Sequence, residues 1–224
     1  MTQTTAIAHP NFALVKYWGK KDIDQNMPAM SSISITVDSM HSKTKIYKNL
    51  SSKEHRLFIN GEEEQDISKI IPSLQYLSKI SKSNDFLVIK SENNFPTSSG
   101  LASSASGIAS LVTAYEAHYD IELKMSDRVK ACMLGSGSAP RSLLGGFVLM
   151  DQNRSYRCSQ ILGKSEWPLD VLICIASTES KKISSREGME ISRKTSTIYN
   201  HWLDINQEHI NEALEAIREK NILK

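Results

Sequence analysis

The chain has 224 residues, a net charge of +2 and an ordinary share of hydrophobic and charged residues. That length allows one large domain or two small ones, and the dispersed charge gives no bulk electrostatic case for nucleic-acid binding. No apolar run is long enough for a membrane span, and residues 1–10 lack the pattern of a signal peptide.

Cys132, Cys158 and Cys174 have neither metal nor redox spacing, so a cytosolic chain with reduced thiols is expected. In that setting the sequons at Asn49 and Asn153 carry no weight. The six histidines contain no His-Glu-x-x-His pattern, which argues against a zinc site.

In chain order, Phe12–Trp18 is apolar and β-prone. Ile33, Ile35 and Val37 alternate with Ser34 and Thr36 as in a half-buried strand. Further strands are expected over Thr44–Tyr47 and Arg56–Ile59, with Asn60-Gly61 as a hairpin turn. Ile67, Ile70, Ile71, Leu74, Leu77 and Ile80 trace one face of a helix, and Phe86–Ile89 reads as a short strand.

Residues 95–107, Phe-Pro-Thr-Ser-Ser-Gly-Leu-Ala-Ser-Ser-Ala-Ser-Gly, then open onto a helix whose apolar positions are Leu101, Ala105, Ile108, Val112 and Tyr115. A helix start with small side chains exposes unpaired N–H donors and a partial positive charge, which suits phosphate. Tight packing of small residues against a sheet explains the same composition, and no Gly-Lys-Ser/Thr follows, so this is not a Walker-type loop.

A short helix around Asp127–Met133 precedes a second Gly/Ser segment, Gly135–Gly146, and a strand over Gly146–Met150. The polar stretch Asp151–Ser159 leads to Trp167-Pro168 and a buried-looking strand, Leu169–Ala176. Two helices, Glu187–Leu203 and Gln207–Ile222, complete the chain, with a domain boundary near residue 165. Mixed strands and helices with hairpins argue for α+β rather than a doubly wound parallel sheet.

Three segments carry chemistry. In Asn11–Lys21, an unbroken strand puts Lys16, Trp18 and Lys20 on one face and Tyr17 on the other, and a lysine among apolar residues needs an anion. An edge strand with snorkelling lysines is the plainer reading. In Gly135–Gly146, Ser136, Ser138, Arg141 and Ser142 crowd donors onto one loop, and Arg141 suits a bidentate carboxylate or phosphate. In Lys181–Met189, Ser184 or Ser185 caps a helix beginning near Arg186.

Together these segments closely resemble the diphosphomevalonate decarboxylases of the GHMP kinase superfamily. The resemblance rests on Asn11–Lys20 (NFALVKYWGK), Asn26–Val37 (NMPAMSSISITV), Ser91–Gly107 (SENNFPTSSGLASSASG), Gly135–Val148 (GSGSAPRSLLGGFV) and Ser184–Met189 (SSREGM), in the family's order and spacing. It implies a GHMP kinase fold: a ribosomal protein S5 domain 2-like, ATP-binding N-terminal domain over residues 1–165, then an incomplete ferredoxin-like C-terminal domain over residues 166–224.

The implied reaction is ATP-dependent decarboxylation of (R)-5-diphosphomevalonate to isopentenyl diphosphate, with release of ADP, phosphate and carbon dioxide, in mevalonate-dependent isoprenoid synthesis. By position, the resemblance assigns the ATP phosphates to Pro96, Ser98, Ser99, Gly100, Leu101, Ala102, Ser103, Ser104 and Ser106, with Ser104 touching them or Mg²⁺. It assigns the substrate diphosphate to Tyr17, Lys20, Ser136, Ser138, Ser185 and Arg186, and the departing carboxylate to Arg141. Lys16, Asn11 and Asn26 support the 3-hydroxyl and the transferred phosphoryl group.

Pro140 stands where the family usually has Cys, and Ser98, Ser99 and Ser106 stand where Ala is frequent. The family's catalytic Asp belongs to a later segment, Thr-x-Asp-Ala-Gly-Pro-Asn, which this sequence does not contain, so the 224-residue polypeptide by itself is expected to be inactive. The alternatives are a mevalonate 3-kinase, a phosphomevalonate decarboxylase, or a chain that binds a phosphorylated ligand without turnover. The resemblance suggests a cytoplasmic homodimer, with no nucleic-acid or membrane partner.

Overall fold

The computed structural model describes residues 3–96, 101–174 and 183–223. Its strands fall into two sheets and a small hairpin. One sheet has the order β1 (Thr4–Ala8), β6 (Ser42–Lys48), β9 (Leu87–Asn93), β7 (Arg56–Ile59) and β8 (Glu62–Glu64), antiparallel except where β7 runs parallel to β9. The other has the order β11 (Arg157–Leu162), β10 (Phe147–Asp151), β5 (Ser32–Thr36) and β2 (Asn11–Val15). β3 (Lys20–Asp22) and β4 (Met27–Pro28) pair with each other.

Alternation in β6 explains the main core. Ser42, Thr44 and Ile46 are buried toward the helices, while Lys43, Lys45 and Tyr47 lie on the opposite face. Ile46, Leu57, Leu87 and Ile89 pack under α1 (Ile71–Ser81), α2 (Ser103–His118) and α3 (Met125–Gly135) through Leu74, Leu77, Ile108, Val112, Tyr115 and Cys132. The small residues of α2 allow it to lie close to the sheet. Two hydroxyl pairs cross that contact, Ser106 with Ser42 and Thr44 with Ser110, each at 2.6 Å.

Asn60 and Gly61 both have positive φ, 51° and 91°, and close the β7–β8 hairpin. β8 is Glu-Glu-Glu, an acidic edge that opposes pairing with another strand.

The second sheet is covered by α6 (Asn206–Glu219), whose Ile210 and Ile217 share a core with Ile33 and Phe147. This core crosses residue 165. α4 (Ser185–Thr195) and α5 (Tyr199–Asp204) pack lower down, where Met189 and Leu203 meet Tyr17, Trp18 and Met30.

Several expectations need correction. The strand expected over Phe12–Trp18 stops at Val15, after a register shift between Ala13 and Val15, so Lys16, Trp18 and Lys20 do not share one strand face. The expected strand Leu169–Ala176 does not form over residues 169–174. Leu169, Val171 and Leu172 are exposed there, and no strand among the described residues pairs with the segment to satisfy its backbone. The helix expected over Glu187–Leu203 is two helices, because the chain leaves helical geometry at Ser196 in the Thr-Ser-Thr run, whose side chains favour non-helical backbone. The polar stretch Asp151–Ser159 holds the start of β11.

Candidate active site

Three elements converge on the turn after β2. The first is the Tyr17-Trp18-Gly19-Lys20 segment. Gly19 has φ +106°, and a Cβ there would fall 1.8 Å from the Tyr199 hydroxyl, so α5 sits directly against its backbone. Gly188 of α4 faces the Trp18 ring less tightly, since a Cβ there would make an ordinary contact at 3.5 Å. Lys16 stays beside Trp18 through a cation–π contact, with Nζ 5.3 Å from the ring centre.

The second element is the turn from α3 into the 3₁₀ helix Ala139–Leu143. A Cβ on Gly137 would come within 2.6 Å of the Tyr17 hydroxyl, which explains glycine at that point. Ser136 and Ser138 flank it, with their hydroxyls 3.3 Å apart.

Arg141 follows and is 98% removed from solvent, being 2% exposed. Its Nε donates to Ser34 Oγ at 3.0 Å, Nη1 donates to Ser32 Oγ, and Nη2 donates to Asn11 Oδ1 at 3.1 Å. Asn11 is fixed in turn by donating to the Ser138 carbonyl and to Ser142 Oγ. The guanidinium thus uses three of its five N–H donors on neutral oxygens. Burial pulls its pKa down, against smaller opposing effects of Tyr17 and Cys158.

The third element is α4. Ser184 caps it by accepting the Glu187 N–H at 3.1 Å, which leaves Ser185 and Arg186 exposed in its first turn. Burial pushes the Tyr17 hydroxyl up, while the charges of Arg141 and Arg186 act to lower it. Burial, and then the Arg186 charge, bring the Lys20 ammonium down to about 8. Among the described residues no carboxylate forms an ion pair with Lys20, Arg141 or Arg186. Arg141 and Arg186 thus act on Tyr17, Arg186 acts on Lys20, and cations without a counter-charge among the described residues suit an anion.

The start of α2 lies apart from this cluster in the sequence. Ala102 precedes the helix with a left-handed φ of 56°, and its carbonyl accepts the Ala105 and Ser106 N–H groups. Ser104 is exposed in the first turn, Ser103 is half-buried beside it, and Leu101 packs toward Val37, Met40 and Phe95. Ser106 faces the sheet, where its hydroxyl meets Ser42. Pro96 is exposed, while Ser98, Ser99 and Gly100 lie outside the described residues.

Asn26 adopts φ 55° and donates its side-chain N–H to the Met133 carbonyl at 2.7 Å, which ties it to α3 rather than to Arg141. A separate open cleft of about 420 Å³ lies between α3, the β3–β4 hairpin and residues 152–156, and none of the sequence-predicted site residues lines it. Sequence reasoning missed Asn206, which is buried and bonded to the backbone of Ser31 next to the Arg141 cluster. An asparagine at a helix start reads as an ordinary cap, so nothing in the sequence marks it.

Comparison with known proteins identifies the arrangement. Residues 8–160 match the family model of the diphosphomevalonate decarboxylase-like N-terminal domain, and residues 171–224 match that of the mevalonate 5-diphosphate decarboxylase C-terminal domain. A curated diphosphomevalonate decarboxylase from Ganoderma lucidum is 38% identical over 222 residues, covering 89% of this chain and 55% of that protein. The chain thus spans a little over half the length of that relative.

A crystal structure of mevalonate diphosphate decarboxylase from Staphylococcus aureus superposes with TM-score 0.83 at 33% identity, covering 98% of this chain and 68% of that one. A structure of MDDEF in complex with MVAPP, AMPPCP and magnesium gives TM-score 0.85 at 30% identity, covering 98% and 69%. The chain is therefore a member of the diphosphomevalonate decarboxylase family, with the α+β fold of its GHMP kinase-type structures.

Proposed function

We propose that this chain serves the ATP-dependent decarboxylation of (R)-5-diphosphomevalonate to isopentenyl diphosphate, by binding both reactants in a cytoplasmic homodimer. The reading rests above all on the Arg141 guanidinium, which is buried, held by neutral oxygens and, among the described residues, without a carboxylate partner. A substrate carboxylate would supply the missing charge and accept the two remaining N–H donors. Loss of that carboxylate as carbon dioxide would then return the site to the state seen here.

Lys20, Arg186, Tyr17, Ser136, Ser138 and Ser185 would hold the diphosphate, since Lys20 and Arg186 are close enough to interact and have no ion-paired carboxylate among the described residues. Asn11 holds the Arg141 fork in place and, with Lys16 and Asn26, would support the 3-hydroxyl and the transferred phosphoryl group. Pro96, Ser98, Ser99, Gly100, Leu101, Ala102, Ser103 and Ser104 would take the ATP phosphates at the start of α2, whereas Ser106, expected from the sequence to join them, is buried against Ser42 and holds α2 to the sheet instead.

The hydroxyl of Ser104 and the phosphates are hard oxygen donors that fit Mg²⁺. Bound there, the ion would neutralise phosphate charge. The residues of the chain orient the substrate and place donors where charge develops during phosphoryl transfer and carboxylate loss, without forming a covalent intermediate.

Calorimetric titration with diphosphomevalonate, and with ATP plus Mg²⁺, tests the binding reading, and release of labelled carbon dioxide tests turnover. Saturable binding of both ligands is expected. Failure of diphosphomevalonate to bind when mevalonate or phosphomevalonate does would transfer the assignment to a mevalonate 3-kinase or phosphomevalonate decarboxylase.

A further inference from the structure

Ser31 lies between β4 and β5, one residue before the β10–β5 ladder begins with the pairing of Ser32 and Met150 at its end. Its backbone is held instead by one side chain from the other end of the sequence. Asn206, the first residue of α6, accepts the Ser31 N–H at 3.1 Å and donates to the Ser31 carbonyl at 3.2 Å. Asn206 is 6% exposed and Ser31 2%, so both bonds are protected from water.

The Ser31 hydroxyl accepts the Gln152 N–H at 3.0 Å, and Asn153 reaches Gln207 at 2.9 Å, so the start of α6 is tied to the same corner twice. The next residue, Ser32, takes Nη1 of Arg141, and Ser34 takes Nε. Without a carboxylate to orient it, the guanidinium depends on where these hydroxyls stand.

We infer that Asn206 is a positioning residue for carboxylate recognition: by clamping the Ser31 backbone it sets Ser32, and through Ser32 the Arg141 fork. The inference rests on the reading of Arg141 as the carboxylate-binding group. Tyr17 is braced by Gly137 and by Met189 of α4 as well as by Met30, the residue before Ser31, so the diphosphate end of the site feels the clamp less directly than Ser32 does.

Isopentenyl diphosphate keeps a diphosphate and lacks the carboxylate, which makes the two ligands a direct test. Calorimetry of the 224-residue chain should show Asn206→Ala weakening diphosphomevalonate by about tenfold while isopentenyl diphosphate stays within about twofold. Asn206→Asp keeps the size and the acceptor for the Ser31 N–H but loses the donor, so it should move the affinity ratio in the same direction by less. Leu214→Ala, which loosens α6 against its sheet without touching Ser31, should lower the melting temperature and leave the ratio unchanged.

Equal loss of both ligands in the Asn206 variants, or an unchanged ratio, overturns the clamp, as does a Leu214→Ala ratio shifted like that of Asn206→Ala. Arg141→Met separates the two levels of the argument. If it leaves the ratio untouched, the reading of Arg141 fails; if it collapses the ratio while Asn206→Ala does not, only the clamp fails.

Discussion

Lys20 and Arg186 stand close enough for the arginine charge to depress the lysine, although one comes from β3 and the other from the first turn of α4. Two cations that repel each other, with no ion-paired carboxylate on either among the described residues, cost stability in the ligand-free protein and favour an anion.

The depressed Lys20 ammonium gives a signed pH dependence. The unfolded chain holds this proton up to the ordinary lysine value of 10.5, and the fold releases it at about 8, so stability from this group rises between those pH values and is reduced below them. Lys20→Met should therefore melt higher than the parent at pH 7 while losing diphosphate affinity. In the parent, diphosphomevalonate affinity should be flat below pH 8 and then fall, by up to about tenfold per pH unit, because binding must take up the proton. Lys20→Arg should remove the inflection. Titrations across pH 6.5–9.5 decide the matter, and a flat parent profile would refute it.

Arg141→Met should leave folding stability unchanged or raised, because it removes a buried charge that no carboxylate balances. Ser32, Ser34 and Asn11 lose a donor, at a cost of about 1–3 kcal/mol in the opposite direction. Urea unfolding measures the balance. A loss above about 3 kcal/mol would make Arg141 a structural residue.

Gly19→Ala should be severe. Its φ of +106° excludes an ordinary side chain, and the added methyl would overlap the Tyr199 hydroxyl. A loss of about 2–4 kcal/mol is expected. Gly19→Ala combined with Tyr199→Phe should recover only part of it, since the ring carbon behind the hydroxyl remains at 2.8 Å and the backbone strain persists. Full recovery would mean that the strain is absent.

Ser104 and Ser106, two residues apart on α2, should behave oppositely. Ser104→Ala should weaken ATP binding and leave unfolding unaltered, because its side chain is exposed. Ser106→Ala should cost about 1 kcal/mol by removing the buried bond to Ser42, whose hydroxyl keeps its bond to Asn93, with little effect on ATP. Parallel calorimetry and thermal melts would expose any exchange of these roles.

Much of the fold was legible where hydrophobic period and turn chemistry agreed. β5, β6, β7 with its Asn-Gly turn, α2 and α3 lie close to where alternation and helical spacing put them. Apolar content misled at residues 169–174, because a run of branched residues marks a strand only when a neighbour accepts its backbone bonds. β11 was hidden in a polar stretch because it is an edge strand that buries few side chains.

At the site, the residue types were readable but their company was not. Tyr17 and Arg141 are far apart in sequence, and only the fold shows that Arg141 is buried among neutral oxygens and that Tyr17 is wedged against Gly137. Asn206 carried no signal at all.

The hydroxyl pairs that lock α2 to β6 give the site two halves of unequal permanence. Residues along α2 are buried almost all round, so their amides should exchange with deuterium only on global unfolding. α4 buries Met189 alone among its eleven residues, so Arg186 rides on a helix that can open by itself. A diphosphate bound between Lys20 and Arg186 would slow exchange in α4 far more than in α2. The first half of the site is built by folding, and the second is completed by its ligand.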